Sequence, residues 1–308
     1  MPDKPAAEVS IDTALIRGLL ADRVIPVIPD AGELSLRKVA EGWDCEVWRL
    51  GEDYAVRLPR RALAAPLVLH EQAVLPSVAE RLSPLGVRVP APVVDGVADR
   101  DYPWAWSVVP WIDGISAIEE SAAERGEWAD TLARALGALH VAAPDDHPVN
   151  PFRGVPLAAR ADDVEERLRT LRDSGVLDDA SARRIDAIWQ AGAAATPWNR
   201  TPVWIHGDLH PGNLVARDGA LVGIIDFGDV TAGDPAYDLA VAWLAFDAGG
   251  RERFTAAAGF DYDADVWVRA HAWAAAVVLM LLAHSDDNPA YFALGRDAAA
   301  EVIADAAA

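Results

Sequence analysis

Between Asn213 and Asp226 the sequence reads NLVARDGALVGIID, two apolar runs joined by Asp218-Gly219. An Asp-Gly pair between apolar strands is a strong short-range hairpin signal, because a two-residue type I′ turn needs φ > 0 at both central positions. A tight hairpin brings its ends together, and the ends here are polar. WIHGDLHPGNL (residues 204–214) leads into the first strand, and IIDFGD (residues 224–229) leaves the second. Asn213 and Asp226 are therefore expected to project side by side, with Asp208 just upstream.

The flanking sequence says what surrounds this hairpin. Residues 36–58 read as short strands: β-prone segments at 47–50 and 54–58 join through Gly51-Glu52-Asp53 as a second hairpin. In APLVLHEQAVLPSVAERL, Leu67, Val74, Leu75, Val78 and Leu82 recur at helical spacing, and Pro76 is expected to interrupt that helix or restart a second one. Strand-like residues return in YPWAWSVVPWIDG, which ends in a Pro- and Gly-flanked connector at residues 110–114. Beyond it the chain reads as mostly helical. Trp128, Leu132, Leu136 and Leu139 form one apolar stripe, and residues 162–190 read as a polar helical pair.

Composition bounds the function classes. With 308 residues and 52% hydrophobic side chains, the chain can bury a sizeable core. A net charge of -21 argues against a protein that tracks a nucleic-acid backbone, which needs clustered Lys and Arg. The charge is uneven: residues 1–110 carry 16 acidic and 12 basic side chains, and residues 111–308 carry 32 and 15. One cysteine, Cys45, rules out an intramolecular disulfide framework, and the N-terminus has acidic residues where a signal peptide carries positive charge. A cytoplasmic protein is expected. The most apolar run, residues 272–283, has 12 residues against the roughly 20 of a membrane span, and reads as a core helix rather than a membrane contact.

Two oxygen ligands at the end of a hairpin suit Mg²⁺, a hard cation usually held by one or two carboxylates with substrate phosphates and waters. A carboxylate at Asp208 can accept a proton from an attacking hydroxyl. His206 and His210 raise zinc as an alternative, but no Cys or further His at metal spacing accompanies them. His206 reads better as a hydrogen-bonding core residue. A polar loop that only caps the hairpin is the remaining alternative. The sequence contains no Gly-x-Ser-x-Gly elbow and no P-loop motif.

His206-Gly207-Asp208, Asn213 and Ile225-Asp226-Phe227 together have the form H-G-D-x4-N followed by I-D-F. In this the chain resembles the aminoglycoside phosphotransferase family, small-molecule and antibiotic kinases with a protein-kinase-like fold, which has macrolide phosphotransferase relatives. VRLPRR (56–61), ALGALH (135–140) and GDPAYDLA (233–240) resemble further family landmarks in the right order. The resemblance implies a two-lobed α+β fold. Residues 1–110 would form a small β-rich nucleotide-binding lobe, and residues 111–308 a larger, mainly helical lobe for catalysis and acceptor binding. It implies Asp208 as the catalytic Asp, Asn213 and Asp226 as ligands of Mg²⁺, and ATP or GTP as co-substrate. Asp238 would brace the backbone around His206 and Gly207. The connector at Pro110 and Ile112 would offer adenine a backbone C=O and N–H, with Trp104, Trp106 and Trp111 close by.

The sequence departs from the family at the lysine that holds the phosphates. Only Lys4 and Lys38 occur, and neither is placed for this role. The matching strand position is Arg57, with Glu71 as its expected helix partner, and an arginine fork suits phosphate. An ordinary surface ion pair is the alternative. The nucleotide loop AEGWDCEVW holds only Gly42. For the acceptor, residues 229–308 carry 13 acidic and 4 basic side chains, including DYDAD at 261–265, in a region that lines the acceptor cleft of similar kinases. A cationic, amine-bearing small molecule of aminoglycoside type is expected, with antibiotic resistance as one role. A macrolide or housekeeping metabolite kinase and a non-catalytic nucleotide-binding pseudokinase are the alternatives.

Overall fold

The computed structural model describes residues 5–99, 101–259, 262–285 and 288–305. Lys4 and Asp261, both named above, lie outside the described residues. Five strands form one antiparallel sheet in the order β1-β2-β3-β5-β4: β1 (Leu36–Glu41), β2 (Cys45–Leu50), β3 (Tyr54–Pro59), β4 (Val94–Gly96) and β5 (Trp106–Pro110). Alternation along these strands decides which residues reach the site. Trp48, Leu50, Val56, Leu58, Trp106 and Val108 pack on one face with Ile16 and Leu19 of helix α1 (Thr13–Leu19) and with Leu20 and Val24 just after it. The sequence reading did not anticipate α1, whose start is capped by Asp12 accepting from the Leu15 N–H at 2.8 Å. Arg57 sits between Val56 and Leu58, so it points to the opposite face, toward helix α2 (Ala65–Leu82).

Helix α2 runs unbroken through Pro76, contrary to the interruption expected there. The proline lies on the exposed side, while Val68, Val74, Leu75, Val78 and Leu82 are buried on the other. Burying each such side chain is worth about 1.5–3 kcal/mol, so together they outweigh the roughly 3 kcal/mol cost of an interior proline. The same stripe, at spacings of three and four, carries Glu71 to the inside.

The hydrophobic core does not divide where the sheet does. Val74, Leu75, Val78 and Leu82 of α2 belong to the large core built by Leu132, Leu136 and Leu139 of α3 (Ala129–Leu139) together with Ile205 and Phe227. After β5 the chain passes through residues 111–114 into β6 (Ile115–Ser116), which pairs with β8 (Leu214–Arg217), and β8 in turn pairs with β9 (Ala220–Ile224). A separate pair joins β7 (Val203–Ile205) to β10 (Thr231–Gly233). Gly114, at φ 154°, lets the connector lie against β8: a Cβ there would stand 2.5 Å from the Ala216 carbonyl oxygen. Arg88 ties back to the far strand, donating its N–H to the Val222 carbonyl and accepting from the Ile224 N–H at 2.9 and 3.0 Å. Asp218 and Gly219 both adopt positive φ, 52° and 74°, as a type I′ turn requires.

The polar pair appears as α4 (Ala161–Asp173) and α5 (Asp179–Ala194), both packed on α6 (Ala264–His284), as is the last helix, α7 (Pro289–Asp305). Among the described residues, two helical stretches, Ala62–Leu85 and Ala264–His284, are long and apolar enough to cross a membrane. The second is the central helix of this half, and 67% of its most apolar window is buried by its neighbours.

Candidate functional site

Hairpin register builds the floor of the site. Leu214 pairs with Ile224, and the Ile225 N–H donates to the Asn213 carbonyl at 2.9 Å, which extends the ladder by one step. Asn213 thus faces Ile225, and Asp226 follows at once. Asp226 adopts φ 62°, a left-handed conformation that Asp tolerates better than most residues and that is frequent at functional sites. Both residues line a cleft of about 630 Å³ with Asp208, His210 and Asp229. Arg57 and Glu71 line it from the sheet side, and residues 40–45 of the β1–β2 loop cover it. A groove of about 600 Å³ lies elsewhere, along α5, α6 and α7. Its single carboxylate, Asp305, already accepts from Trp243 and Arg251, so that groove offers no comparable set of converging groups.

The loop carrying Asp208 is held from beneath. Asp238, fully buried in the short helix Ala236–Leu239, accepts the His206 N–H at 2.7 Å and the Gly207 N–H at 3.0 Å. His140 Nε2 lies 3.1 Å from the same carboxylate, and His140 Nδ1 lies 2.6 Å from the Tyr262 hydroxyl. The brace expected of Asp238 is present as drawn from the sequence. His206 accepts the Asp208 N–H at Nδ1, 3.1 Å, which leaves Nε2 to donate to the Ile225 carbonyl at 2.9 Å. This histidine is a core hydrogen-bonding residue that joins the Asp208 loop to the hairpin end. Gly207 takes φ 84°, and a Cβ there would meet the Asp229 carbonyl oxygen at 2.5 Å, so the position has no room for a side chain.

Asp208 is fixed on three sides. Arg153 Nη2 stands 3.3 Å from one carboxylate oxygen, His210 Nε2 stands 3.7 Å from the other, and the Asn213 amide donates to the Asp208 carbonyl at 2.8 Å. Burial would raise this carboxyl group, but the hydrogen bond from His210 and the charge of Arg153 outweigh it and hold Asp208 well below the usual carboxylate range. Arg153 also reaches Asp229 through Nε at 3.3 Å and lies over the Tyr237 ring. Asp229 accepts from Asn150 at 2.7 Å, and burial pushes its carboxyl up despite Arg153.

On the sheet side, Arg57 Nη2 donates to Glu71 at 3.0 Å and to Asp226 at 3.4 Å. Burial pushes Glu71 up to about 7 against the pull of Arg57. The pair is therefore not a surface ion pair: the two side chains are 12% and 4% exposed. Asn213 spends its N–H₂ on Asp208, which turns its amide oxygen to the other side, and the Asp226 carboxylate is 56% exposed on the cleft. Among the described residues no three His, Cys, Asp or Glu side chains form a closed metal cage. A carboxylate and an amide oxygen beside room for phosphate fit Mg²⁺ better than zinc.

Of the residues singled out in the sequence, the structure brings Arg57, Glu71, Asp208, Asn213 and Asp226 to one cleft. Pro110 and Ile112 are not among the residues that line it. The Trp111 N–H donates to the Asp53 carbonyl at 2.7 Å, and the Ile112 side chain is buried against Gly223. Trp104 and Trp106 belong to the sheet–α1 core, and Trp111 lies under Arg49. Of the acidic stretch at 261–265, the described residues 262–265 do not line the cleft. Asp263 caps the start of α6, and the cleft is reached at the other end of that helix, at His284 and Ser285. Arg153 and Asn150 escaped the sequence reading because no motif marks them. Asp229 lay inside the stretch first singled out, and Tyr291 of α7 joins the lining from far along the chain.

Residues 35–273 match the model of the phosphotransferase enzyme family. An aminoglycoside 3'-phosphotransferase of Escherichia coli is 30% identical over 142 residues, covering 45% of this chain and 52% of that protein. A homoserine kinase of Methylocella silvestris is 28% identical over 238 residues, covering 70% of this chain and 66% of that protein. The chain thus matches between about half and two thirds of the length of these curated relatives. The solved GDP complex of wild-type aminoglycoside 2'-phosphotransferase-IIIa superposes with a TM-score of 0.67 at 19% identity, over 96% of this chain and 99% of that one. That likeness shows the two-lobed fold, and the family match spans both lobes and every residue of the cleft floor: the chain belongs to the phosphotransferase enzyme family.

Proposed function

We propose that this cleft transfers the γ-phosphoryl group of ATP or GTP to a hydroxyl of a small-molecule acceptor. One observation carries the reading: Asp208, Asn213, Asp226, Arg57 and Glu71, drawn from separate segments, line a single cleft. Arg57, held by Glu71, supplies a phosphate-binding fork. Asn213 and Asp226 would hold Mg²⁺, which when bound neutralises charge on the transferred group. Asp208 orients the acceptor hydroxyl. A carboxylate held this low is a weak base at the outset, and in a loose transition state the hydroxyl gives up its proton late. Positioning is therefore the first task of Asp208, and proton acceptance follows it.

An amine-bearing acceptor of aminoglycoside type is the reading we favour. Its support moves from the C-terminal carboxylates to the match with an aminoglycoside 3'-phosphotransferase, since the carboxylates of the cleft are paired with Arg57, Arg60, Arg61 and Arg153. A small amino-alcohol acceptor is the second reading, favoured by the long match to a homoserine kinase. The test is Mg²⁺-dependent nucleotide consumption with ATP and with GTP across aminoglycosides, macrolides and amino alcohols. Turnover with at least one hydroxyl acceptor is expected. Nucleotide binding without transfer to any of them would make the chain a binding module.

A further inference from the structure

The β1–β2 loop over the cleft reads Ala40-Glu41-Gly42-Trp43-Asp44-Cys45, with a single glycine. Loops that cradle phosphate present successive backbone N–H groups to the anion, and glycine is favoured there because the backbone must come close. This loop reaches its shape by other means. The Gly42 N–H donates to the Cys45 carbonyl at 2.9 Å, which closes a tight turn. Arg60, buried just past β3, donates from Nη1 to the Gly42 carbonyl at 3.0 Å and to the Trp43 carbonyl at 3.4 Å, while its Nη2 reaches Glu41 at 3.1 Å. Arg61 grips the Asp44 carboxylate through Nε at 3.2 Å and Nη2 at 2.6 Å. Residues 40–45 line the cleft, and neither arginine does.

Peptide planarity carries this further. In a trans peptide the N–H points opposite to the C=O of the same unit. With the Gly42 and Trp43 carbonyls drawn to Arg60, the N–H groups of Trp43 and Asp44 point away from it, and both residues line the cleft. Two successive N–H groups so arranged make a concave anion site. The geometry points to Arg60 as a positioning residue for the nucleotide phosphates, holding two carbonyl dipoles off the cleft so that the Trp43 and Asp44 N–H groups face the anion. Arg61 latches the same turn through Asp44. The two arginines do here what added glycines do in a glycine-rich loop, and the inference rests on the phosphotransferase reading above.

Calorimetric titration of adenosine, guanosine, ADP and GDP, each with Mg²⁺, into wild type, Arg60→Met, Arg60→Lys and Arg61→Met tests it. Arg60→Met should weaken the bound diphosphate by about tenfold, the scale of one charge-assisted hydrogen bond, and leave the matching nucleoside unchanged. Arg60→Lys should recover part of the loss, and Arg61→Met should show a smaller loss of the same kind. Equal weakening of nucleoside and diphosphate, or no weakening of either, overturns the proposal. Should Arg60→Met fail to fold, the diphosphate-to-nucleoside ratio in Arg60→Lys and Arg61→Met decides by the same criterion. A wild-type protein that binds neither diphosphate contradicts the phosphotransferase reading itself, a result distinct from an unchanged ratio.

Discussion

Asp238 shows how much one buried carboxylate can organise. It accepts the N–H groups of His206 and Gly207 and faces His140, so its removal leaves two buried donors without an acceptor. At about 1–3 kcal/mol for each unsatisfied group, Asp238→Ala should lose roughly 2–6 kcal/mol of stability by urea unfolding. A loss within about 0.5 kcal/mol, the range of ordinary surface substitutions, would show that the brace is dispensable. Glu71 gives a pH signature. Its carboxyl sits at about 7 in the folded chain against 4.5 ordinarily, so the fold binds that proton more tightly than the unfolded chain does. The resulting stability is fully present below pH 4.5 and is lost as pH rises through about 7. Unfolding of Glu71→Gln measured across that window should therefore decline less steeply than wild type, and parallel curves would refute the assignment. At this scale the sequence was legible where residues sit close together. Asp208, Asn213 and Asp226 lie within one hairpin and its approach, whereas Arg153 and Asn150 are brought to Asp208 and Asp229 from more than 50 positions away by tertiary packing, which leaves no local pattern.

Among the elements, the hairpin was readable because Asp218-Gly219 demands a particular turn, and β2 and β3 were readable from β-prone runs between turn residues. Helix α2 was misjudged at Pro76 because local propensity gave way to burial on the opposite face. The expectation that C-terminal carboxylates line the cleft holds for Asp229 and fails on length for Asp263 and Asp265. Helix α6 has 21 residues, so at 1.5 Å per residue its acidic start stands about 30 Å from the end that touches the cleft, three to four Debye lengths at physiological salt. Asp265→Asn should accordingly leave acceptor kcat/KM within roughly twofold of wild type at low and high salt alike. A clear drop with a cationic acceptor at low salt, erased at high salt, would restore the original expectation.

Taken whole, the molecule places a small sheet with its own α1 core over a larger helical body, and α2 docks into the core of that body. The cleft lies where the β1–β2 loop, the Arg57–Glu71 pair and the hairpin end meet, so under the proposed function nucleotide handling would depend on both halves. Asn213→Ala and Asp226→Ala should each raise the Mg²⁺ concentration needed for nucleotide binding, read by titrating Mg²⁺ at fixed nucleotide. An unchanged requirement in both would remove them as ligands. The two-lobed arrangement was legible from the motif order and the switch from strands to helices. The crossing of α2 into the other core was not, because an apolar helix face does not say which partner covers it. The most direct test of phosphoryl transfer at Asp208 is a single-turnover experiment on wild type and Asp208→Asn, each preloaded with Mg²⁺ and nucleoside triphosphate and mixed with an acceptor that the screen identifies. Nucleotide affinity should stay within about threefold while transfer slows by about 10²-fold or more, the scale of a lost general base. Transfer by the variant at the wild-type rate would contradict the assignment of this cleft's chemistry to Asp208.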